Sequence, residues 1–110
     1  MVERVGFAPN ARGARRLAGE NLFYRYMYYV YILQSLKDKR LYVGYSHNLK
    51  KRMDEHNNGK VKSTSTRRPL KLICYEAYLT KEEAMHREKY LKGSDGRKNI
   101  KRRLINSLID

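Results

Sequence analysis

Residues 28–45 read YYVYILQSLKDKRLYVGY, and this stretch decides the fold. Residues 28–33 are aromatic and β-branched, which predicts a strand that is covered on both faces. The polar residues 37–39 predict a turn, and residues 41–45 predict a second strand. The sequence therefore predicts a β-hairpin as the first element of the domain.

Three helices and one more strand are predicted after the hairpin. Asn48 is a suitable N-cap for the first helix, and Thr80 with Glu83 forms a capping box for the second. Residues 93–96, Gly-Ser-Asp-Gly, are expected to separate the second helix from a basic third helix. The predicted apolar face of the third helix is Ile100, Leu104, Ile105 and Leu108. The predicted elements are a helix over residues 49–57, a strand over 70–78 and helices over 81–92 and 97–108. The order β-β-α-β-α-α predicts one small α+β domain.

Composition indicates a polyanionic partner. The 110 residues suffice for one modest core, and 25 Lys and Arg against 11 Asp and Glu give a formal charge of +14. Such an excess repels itself in a compact body and is best neutralised by a polyanion, so nucleic acid is the expected partner. The alternative is a basic surface kept for solubility, or for loose association with ribosomes or anionic lipid.

The cysteine content and the N-terminus bear on location. Cys74 is the single cysteine, no apolar run is long enough to span a bilayer, and a secretory signal is missing. We therefore expect a cytoplasmic protein without membrane contact. Residues 1–26 lack a clear period and are expected to form a disordered or loosely attached arm, with residues 27–110 as the domain. Met27 is a candidate translation start, and a basic nucleic-acid tether is the weaker interpretation of the arm.

Two tyrosines of the hairpin are candidate functional residues. Alternation with period two places Tyr31 and Tyr42 on one face of the sheet, with their phenols side by side. Gly44 would leave that face open to a phosphate. Aromatic residues favour strands in any case, so ordinary strand tyrosines explain the pattern about equally well.

The first helix adds an arginine and a histidine. Arg52 borders a stripe formed by Leu49, Met53 and His56. Its guanidinium therefore either lies along the edge of the core or faces an anion beside the sheet. His56 taken alone is more often a packing residue than a proton carrier.

The second helix carries a glutamate on its apolar face. Glu88 shares that face with Ala84 and Leu91, and a buried carboxylate needs a partner. The partner is either a basic residue such as Arg52 or a metal ion. Mg²⁺ suits a site with one carboxylate because it keeps several waters and binds substrate phosphate oxygens. A zinc site, nucleotide-driven activity and thiol catalysis fit poorly, since the chain has no CxxC pair, no Gly-rich phosphate loop and only a strand cysteine.

These residues together resemble the GIY-YIG nuclease family over residues 28–92. Tyr29-Val30-Tyr31 is similar to the first tripeptide of the family, and Tyr42-Val43-Gly44 is similar to the second. Residues 48–52, Asn-Leu-Lys-Lys-Arg, resemble the helix with the family's arginine. Residues 83–88, with Glu83-Ala84 and Arg87-Glu88, resemble the helix with its metal-binding glutamate. The chain is most similar to short stand-alone bacterial members, and more distantly resembles the incision domain of the bacterial excision-repair nuclease and the homing endonucleases.

The resemblance implies a small three-stranded antiparallel sheet flanked by helices. It also implies a divalent-metal-dependent endonuclease that hydrolyses DNA phosphodiester bonds, with a role in DNA repair or processing. Tyr31 would orient or deprotonate the attacking water, with Tyr42 beside it at the phosphate. Arg52 would stabilise charge on the phosphate, and His56 would assist proton transfer or hold a phosphate. Glu88 would hold one Mg²⁺ or Mn²⁺ ion.

Two departures from the family pattern favour other functions. Tyr29 replaces the family's glycine, and Asn99 is the nearest candidate for an asparagine that often follows the glutamate helix. The alternative is a catalytically weak or inactive nucleic-acid-binding module, and a third hypothesis docks the basic helix on an acidic protein. A protein partner that supplies targeting is also expected. The residues predicted to contact nucleic acid are Gly44, Lys51, Lys60, Lys62, Arg67, Arg68, Arg97, Lys98 and Lys101, joined in the binding-module alternative by Arg102 and Arg103.

Overall fold

A computed structural model of the chain describes residues 27–109, so the prediction for residues 1–26 lies outside the described part. The elements are β1 (Tyr28–Ser35), β2 (Leu41–Ser46), α1 (Leu49–Asn57), β3 (Leu70–Tyr78), α2 (Lys81–Lys92) and α3 (Ser94–Arg103). A short 3₁₀ turn over Ser65–Arg67 lies between α1 and β3. The predicted order β-β-α-β-α-α is confirmed.

The three strands form one antiparallel sheet in the order β2-β1-β3. The central strand β1 is therefore flanked on both edges, and its residues Val30, Tyr31, Ile32 and Leu33 are all buried. This confirms the prediction of a first strand that is covered on both faces. The α+β class and the three-stranded antiparallel sheet are confirmed as well.

Alternation along β1 sends its side chains into two separate clusters. Val30 and Ile32 face α2 and α3, where they pack with Val43, Ala84, Leu91 and Ile100. Tyr31 and Leu33 face α1 on the other side of the sheet, where Tyr42, Leu49 and Met53 complete the packing. The candidate tyrosines thus lie in the cluster under α1.

The predicted caps hold the starts of α1 and α2. The Asn48 side chain accepts a hydrogen bond from the Lys51 amide at 3.1 Å. The Thr80 side chain accepts one from the Glu83 amide at 3.2 Å. Glu83 does not reach back to a backbone amide as a full capping box requires, because its carboxylate accepts the Thr80 hydroxyl at 2.8 Å.

The junction of α2 and α3 differs from the prediction. Only Gly93 separates the two helices, and α3 begins at Ser94 and ends at Arg103. Gly96 lies inside α3 and is buried, because α3 packs so closely on the end of α2 that any side chain at Gly96 would overlap the backbone of Tyr90 and Leu91. The glycine therefore permits close helix packing and does not break a helix. Ile105 is also not part of an apolar face, since it follows the end of α3 and is 69% exposed.

Candidate active site

Tyr31 and His56 form the buried centre of the candidate site. The Tyr31 hydroxyl lies 2.8 Å from His56 Nε2, and His56 Nδ1 lies 2.8 Å from the Thr64 hydroxyl. Both rings are 0% exposed. The Tyr31 oxygen also accepts a bond from Arg52 Nε, so its own proton is free to go to His56. This favours the tautomer in which Nδ1–H donates to Thr64 and Nε2 accepts from Tyr31.

Burial sets the protonation of this pair. It lowers the pKa of His56 to about 4, with the positive charge of Arg52 as a second cause. It also raises the pKa of Tyr31 to about 12, although the hydrogen bond from Arg52 acts in the opposite direction. At neutral pH the imidazole is therefore neutral and the phenol keeps its proton. His56 is a proton acceptor in this arrangement as well as a packing residue.

The protonation of His56 gives a testable pH dependence of stability. Its pKa falls from 6.5 to about 4 on folding, so the unfolded chain binds the proton more tightly. The stabilisation is complete above pH 6.5 and is lost as the pH falls through about 4. We expect a loss of about 3 kcal/mol across this window, measured by urea unfolding. A His56→Gln variant should lack this component, and an equal pH dependence in both proteins would contradict it.

Arg52 closes the site toward solvent. Its Nε lies 3.4 Å from the Tyr31 hydroxyl, and its Nη1 lies 3.1 Å from Glu55 Oε1. The Arg52 side chain is 36% exposed, whereas the Tyr31 phenol is inaccessible to solvent. The guanidinium lies at the edge of the core and pairs with Glu55, and its exposed part is accessible to an anion, so both interpretations of Arg52 left open by the sequence are compatible with this geometry.

Tyr42 lies beside the buried pair and reaches its rim. Leu33 is the register partner of Tyr42, and Gly44 is that of Tyr31, so both tyrosines occupy one face as predicted. The Tyr42 ring centre lies 6.3 Å from that of Tyr31 and 5.2 Å from that of His56. Tyr42 is half-buried and is therefore the phenol of the two that a ligand can touch.

Gly44 makes room for the Tyr31 ring. A Cβ at Gly44 would overlap the Cζ and hydroxyl of Tyr31. The Tyr31 ring therefore fills the space beside Gly44 in which the sequence predicts a phosphate. We expect Gly44→Ala to destabilise the fold by about 1–3 kcal/mol, because overpacking forces a buried ring to move. Chemical denaturation measures this cost.

Gly93→Ala is the matched control for Gly44→Ala. A Cβ there would meet only the Tyr90 carbonyl at 3.5 Å, an ordinary contact. We expect this control to cost less than about 1 kcal/mol, which reflects only the poorer N-cap preference of alanine at the start of α3. Equal effects of the two alanines would contradict the tight packing of Tyr31 on Gly44.

Glu88 lies on α2, the helix that packs with Val30 and Ile32. Ala84 and Leu91 are fully buried on the same face, and the Glu88 side chain is 19% exposed, as the interrupted apolar stripe predicted. Its partner is Lys92, with Nζ 3.1 Å from Oε2, whereas Arg52 pairs with Glu55. Burial is the main cause that raises the pKa of Tyr31 and of Tyr45, and the charge of Glu88 is a minor cause in both.

The predicted nucleic-acid contacts do not all gather in one place. Arg67, Arg97 and Lys101 line one cavity along β2. The other lysines and arginines in that prediction lie outside this cavity and are exposed: Lys51, Lys60, Lys62, Arg68 and Lys98. Asn99 lies in α3, and its side chain accepts a bond from Arg103 Nε at 2.7 Å. The roles of all these residues stay predictions.

Sequence reasoning missed Thr64 and three further cations. Thr64 is buried and fixes the His56 ring, but the irregular loop around it has no period that would reveal this contact. Lys39, Arg40 and Lys92 line the same cavity as Arg67 and come from distant parts of the chain. Only the packing of the hairpin against α2 and α3 brings them together.

Comparison with known proteins gives a consistent result. The model of the GIY-YIG catalytic domain family matches residues 27–104. A UPF0213 protein of Clostridium perfringens is 46% identical over 82 residues, which cover 74% of this chain and 85% of the relative. A UPF0213 protein of Staphylococcus saprophyticus is 41% identical over 75 residues, or 67% of this chain and 90% of that one.

A solved structure is also similar. It is the solution NMR structure of a UPF0213 protein from Bacillus halodurans, which is 35% identical, with a TM-score of 0.46. The match covers 74% of this chain and 86% of that one. Within residues 27–109, no helix has the length and apolar character needed to cross a membrane. The extent of the family match, together with the coverage of the bacterial relatives, shows that the chain belongs to the GIY-YIG catalytic domain family.

Proposed function

We propose that the protein is a divalent-metal-dependent endonuclease that hydrolyses DNA phosphodiester bonds during DNA repair or processing. The proposal rests on one connected set of side chains around the Tyr31 hydroxyl. His56 lies 2.8 Å from it, and Arg52 lies 3.4 Å from it. Glu88, on α2, adds a minor electrostatic contribution to the raised pKa of the same phenol. A base and a cation at one hydroxyl, with a carboxylate supplied by α2 from the same small sheet domain, are the groups that phosphodiester hydrolysis requires.

Glu88 is the residue that would hold the metal ion. Its present partner Lys92 is a largely exposed ammonium, and such a surface pair is weak enough for a cation to replace. No three His, Cys, Asp or Glu side chains cluster among residues 27–109. An ion of the Mg²⁺ or Mn²⁺ type, which needs only one carboxylate, therefore fits these residues better than Zn²⁺ does. When bound, such an ion polarises the phosphate and neutralises the leaving oxygen.

Arg52 would bind the scissile phosphate and open the site. Its contact with Tyr31 is long, at 3.4 Å, and a phosphate offers charge-assisted bonds about twice as strong as neutral ones. When Arg52 turns toward the phosphate, it uncovers the Tyr31 hydroxyl. Water can then reach a phenol that is sealed in the described conformation.

His56 would accept the proton that the reaction releases. The positive charge of Arg52 helps to lower the pKa of His56, so a phosphate beside Arg52 makes the imidazole more basic. Nε2 is placed to take the Tyr31 proton while the Tyr31 oxygen takes one from the attacking water. Thr64 keeps the ring oriented during this transfer.

Incubation with nucleic acid and metal tests the proposal. Supercoiled, nicked, branched and single-stranded DNA, together with matched RNA, are incubated with the protein in Mg²⁺, in Mn²⁺ and in EDTA. We expect cleavage of at least one DNA form with either ion and none in EDTA. Cleavage that persists in EDTA, or RNA as the only substrate, would contradict the proposal.

A nucleic-acid-binding module without turnover is the second candidate. It is favoured by the complete burial of Tyr31 and by the Tyr29 side chain in place of the family's glycine. On this hypothesis the logarithm of the affinity falls by about 0.9 per contacted phosphate on duplex DNA as the logarithm of the salt concentration rises. Strong salt-dependent binding without cleavage in any metal would select this function over hydrolysis.

A further inference from the structure

A strongly basic cavity lies along the edge strand β2, beyond the residues assigned to the reaction. Its volume is about 690 Å³. Six cationic side chains line it: Lys39, Arg40, Arg67, Lys92, Arg97 and Lys101. The rest of the lining is apolar apart from Tyr42, and no carboxylate belongs to it. We call this feature the basic cavity.

The positive charge of the basic cavity is poorly neutralised by the described residues. Lys92 pairs with Glu88, and Arg67 Nε lies 3.4 Å from Asp38 Oδ2. Arg40, Arg97 and Lys101 form no ion pair with any residue in the described part of the chain. Like charges held around one cavity repel each other, so an anion that enters it lowers their energy.

Arg67 supplies an independent sign of a missing acceptor. Its Nε and Nη2 atoms are buried and have no hydrogen-bond partner within residues 27–109. The nearby Asp38 oxygen is close enough for charge attraction but lacks hydrogen-bond geometry to Nε. Buried N–H groups without an acceptor are costly, so the Arg67 side chain gains if it turns toward an anion in the basic cavity, where two adjacent guanidinium N–H groups match two phosphate oxygens.

The basic cavity adjoins the candidate active site. Tyr42 lines it, and the same ring lies 5.2 Å from His56. Lys92, another lining residue, contacts Glu88. A strand whose phosphate lies at the candidate active site can therefore continue past Tyr42 into the basic cavity.

We propose that the basic cavity binds the sugar–phosphate backbone of an unpaired nucleotide adjacent to the scissile bond. This inference rests on the proposed function for the identity of the site beside it. The volume is in the range of small-ligand sites, about 300–1,000 Å³, so it suits one nucleotide of a single strand better than the full width of a duplex. The substrate is then DNA with a single-stranded segment next to the cleaved bond, such as a flap or branch.

A matched pair of double variants tests the proposal. Arg97→Gln with Lys101→Gln removes two cavity charges from exposed positions of α3. Lys81→Gln with Lys89→Gln removes two charges from exposed positions of α2 that lie outside the cavity. Binding of a labelled single-stranded oligonucleotide is measured in EDTA over a range of salt, after thermal melting shows that all variants are folded.

We expect the cavity variant to bind at least about tenfold more weakly. The slope of the logarithm of the affinity against the logarithm of the salt concentration should become less steep by about 1.4, because two phosphate contacts of about 0.7 each on a single strand are lost. The α2 variant should stay within about twofold of the unchanged protein, because distant charges are screened. Equal losses in both variants would overturn the proposal. So would inorganic phosphate that displaces the oligonucleotide completely at low millimolar concentration, since the cavity would then be a site for a free anion.

The binding assay is independent of cleavage, so the two proposals fail separately. If the unchanged protein does not cleave but the cavity variant alone loses binding, hydrolysis is wrong and the basic cavity stands as a nucleic-acid site. If the unchanged protein cleaves and both double variants bind alike, the basic cavity is wrong and hydrolysis stands.

Discussion

Glu88→Gln is expected to reduce metal-dependent cleavage at least about a hundredfold while leaving the fold and the affinity for DNA nearly unchanged. The amide has the shape of the carboxylate but lacks the charge that holds a divalent cation. The lost pair with Lys92 is mostly solvent-screened, so it contributes less than about 1 kcal/mol to stability. Cleavage rates in Mg²⁺, thermal melting and DNA binding in EDTA separate these effects.

Glu82→Gln is the matched control for Glu88→Gln. Glu82 lies on the same helix, is exposed, and belongs to the first turn of α2. Both variants lose one negative charge, so a general effect of net charge on DNA binding would appear in both. Unchanged cleavage in Glu88→Gln, or an equal loss in both, would contradict the assignment of the metal to Glu88.

Tyr31→Phe is the second change with a large expected effect, a loss of cleavage of about a hundredfold or more. The ring remains and still fills the space above Gly44, but the hydroxyl that links Arg52 to His56 is gone. His56 Nε2 is then buried without a donor, which costs about 1–3 kcal/mol of stability. Single-turnover cleavage and urea unfolding measure the two consequences.

Tyr75→Phe controls for the removal of a phenol from the same sheet. Tyr75 is the β3 register partner of Tyr31, and its side chain is 54% exposed. We expect this variant to cleave at nearly the normal rate and to unfold at the normal urea concentration. A Tyr31→Phe variant that behaves like Tyr75→Phe would exclude a role of the buried hydroxyl in the reaction.

Local sequence patterns predicted most of the fold, because strands and helix starts depend mainly on residues that are close together in the sequence. The apolar run that contains Tyr31 and Ile32 indicated a central strand, and β1 is buried on both faces. Asn48 and Thr80 indicated helix starts because capping is a local hydrogen bond. Gly96 misled this reasoning, since whether a glycine ends a helix or lets two helices pack closely depends on contacts distant from it.

The candidate site was predicted from strand alternation, from the family resemblance and from one residue that interrupts a regular pattern. Glu88 stood out because it interrupts an apolar stripe, and the structure places it between buried Ala84 and Leu91. Two contacts could not be predicted from the sequence. The contact of Thr64 with His56 depends on the conformation of an irregular loop, and the ion pair of Arg52 with Glu55 depends on a side-chain rotamer at the surface. The basic cavity likewise requires the tertiary packing of separate elements.

The central claim is that a divalent ion bound by Glu88 acts beside the buried pair of Tyr31 and His56. Paramagnetic relaxation measured by NMR during titration of the labelled protein with Mn²⁺ tests it directly and without substrate. We predict the strongest broadening at the amides of Gly44, Tyr45 and Glu88, and its loss in Glu88→Gln. Broadening centred on another carboxylate such as Asp54, or broadening that Glu88→Gln leaves unchanged, would contradict the claim.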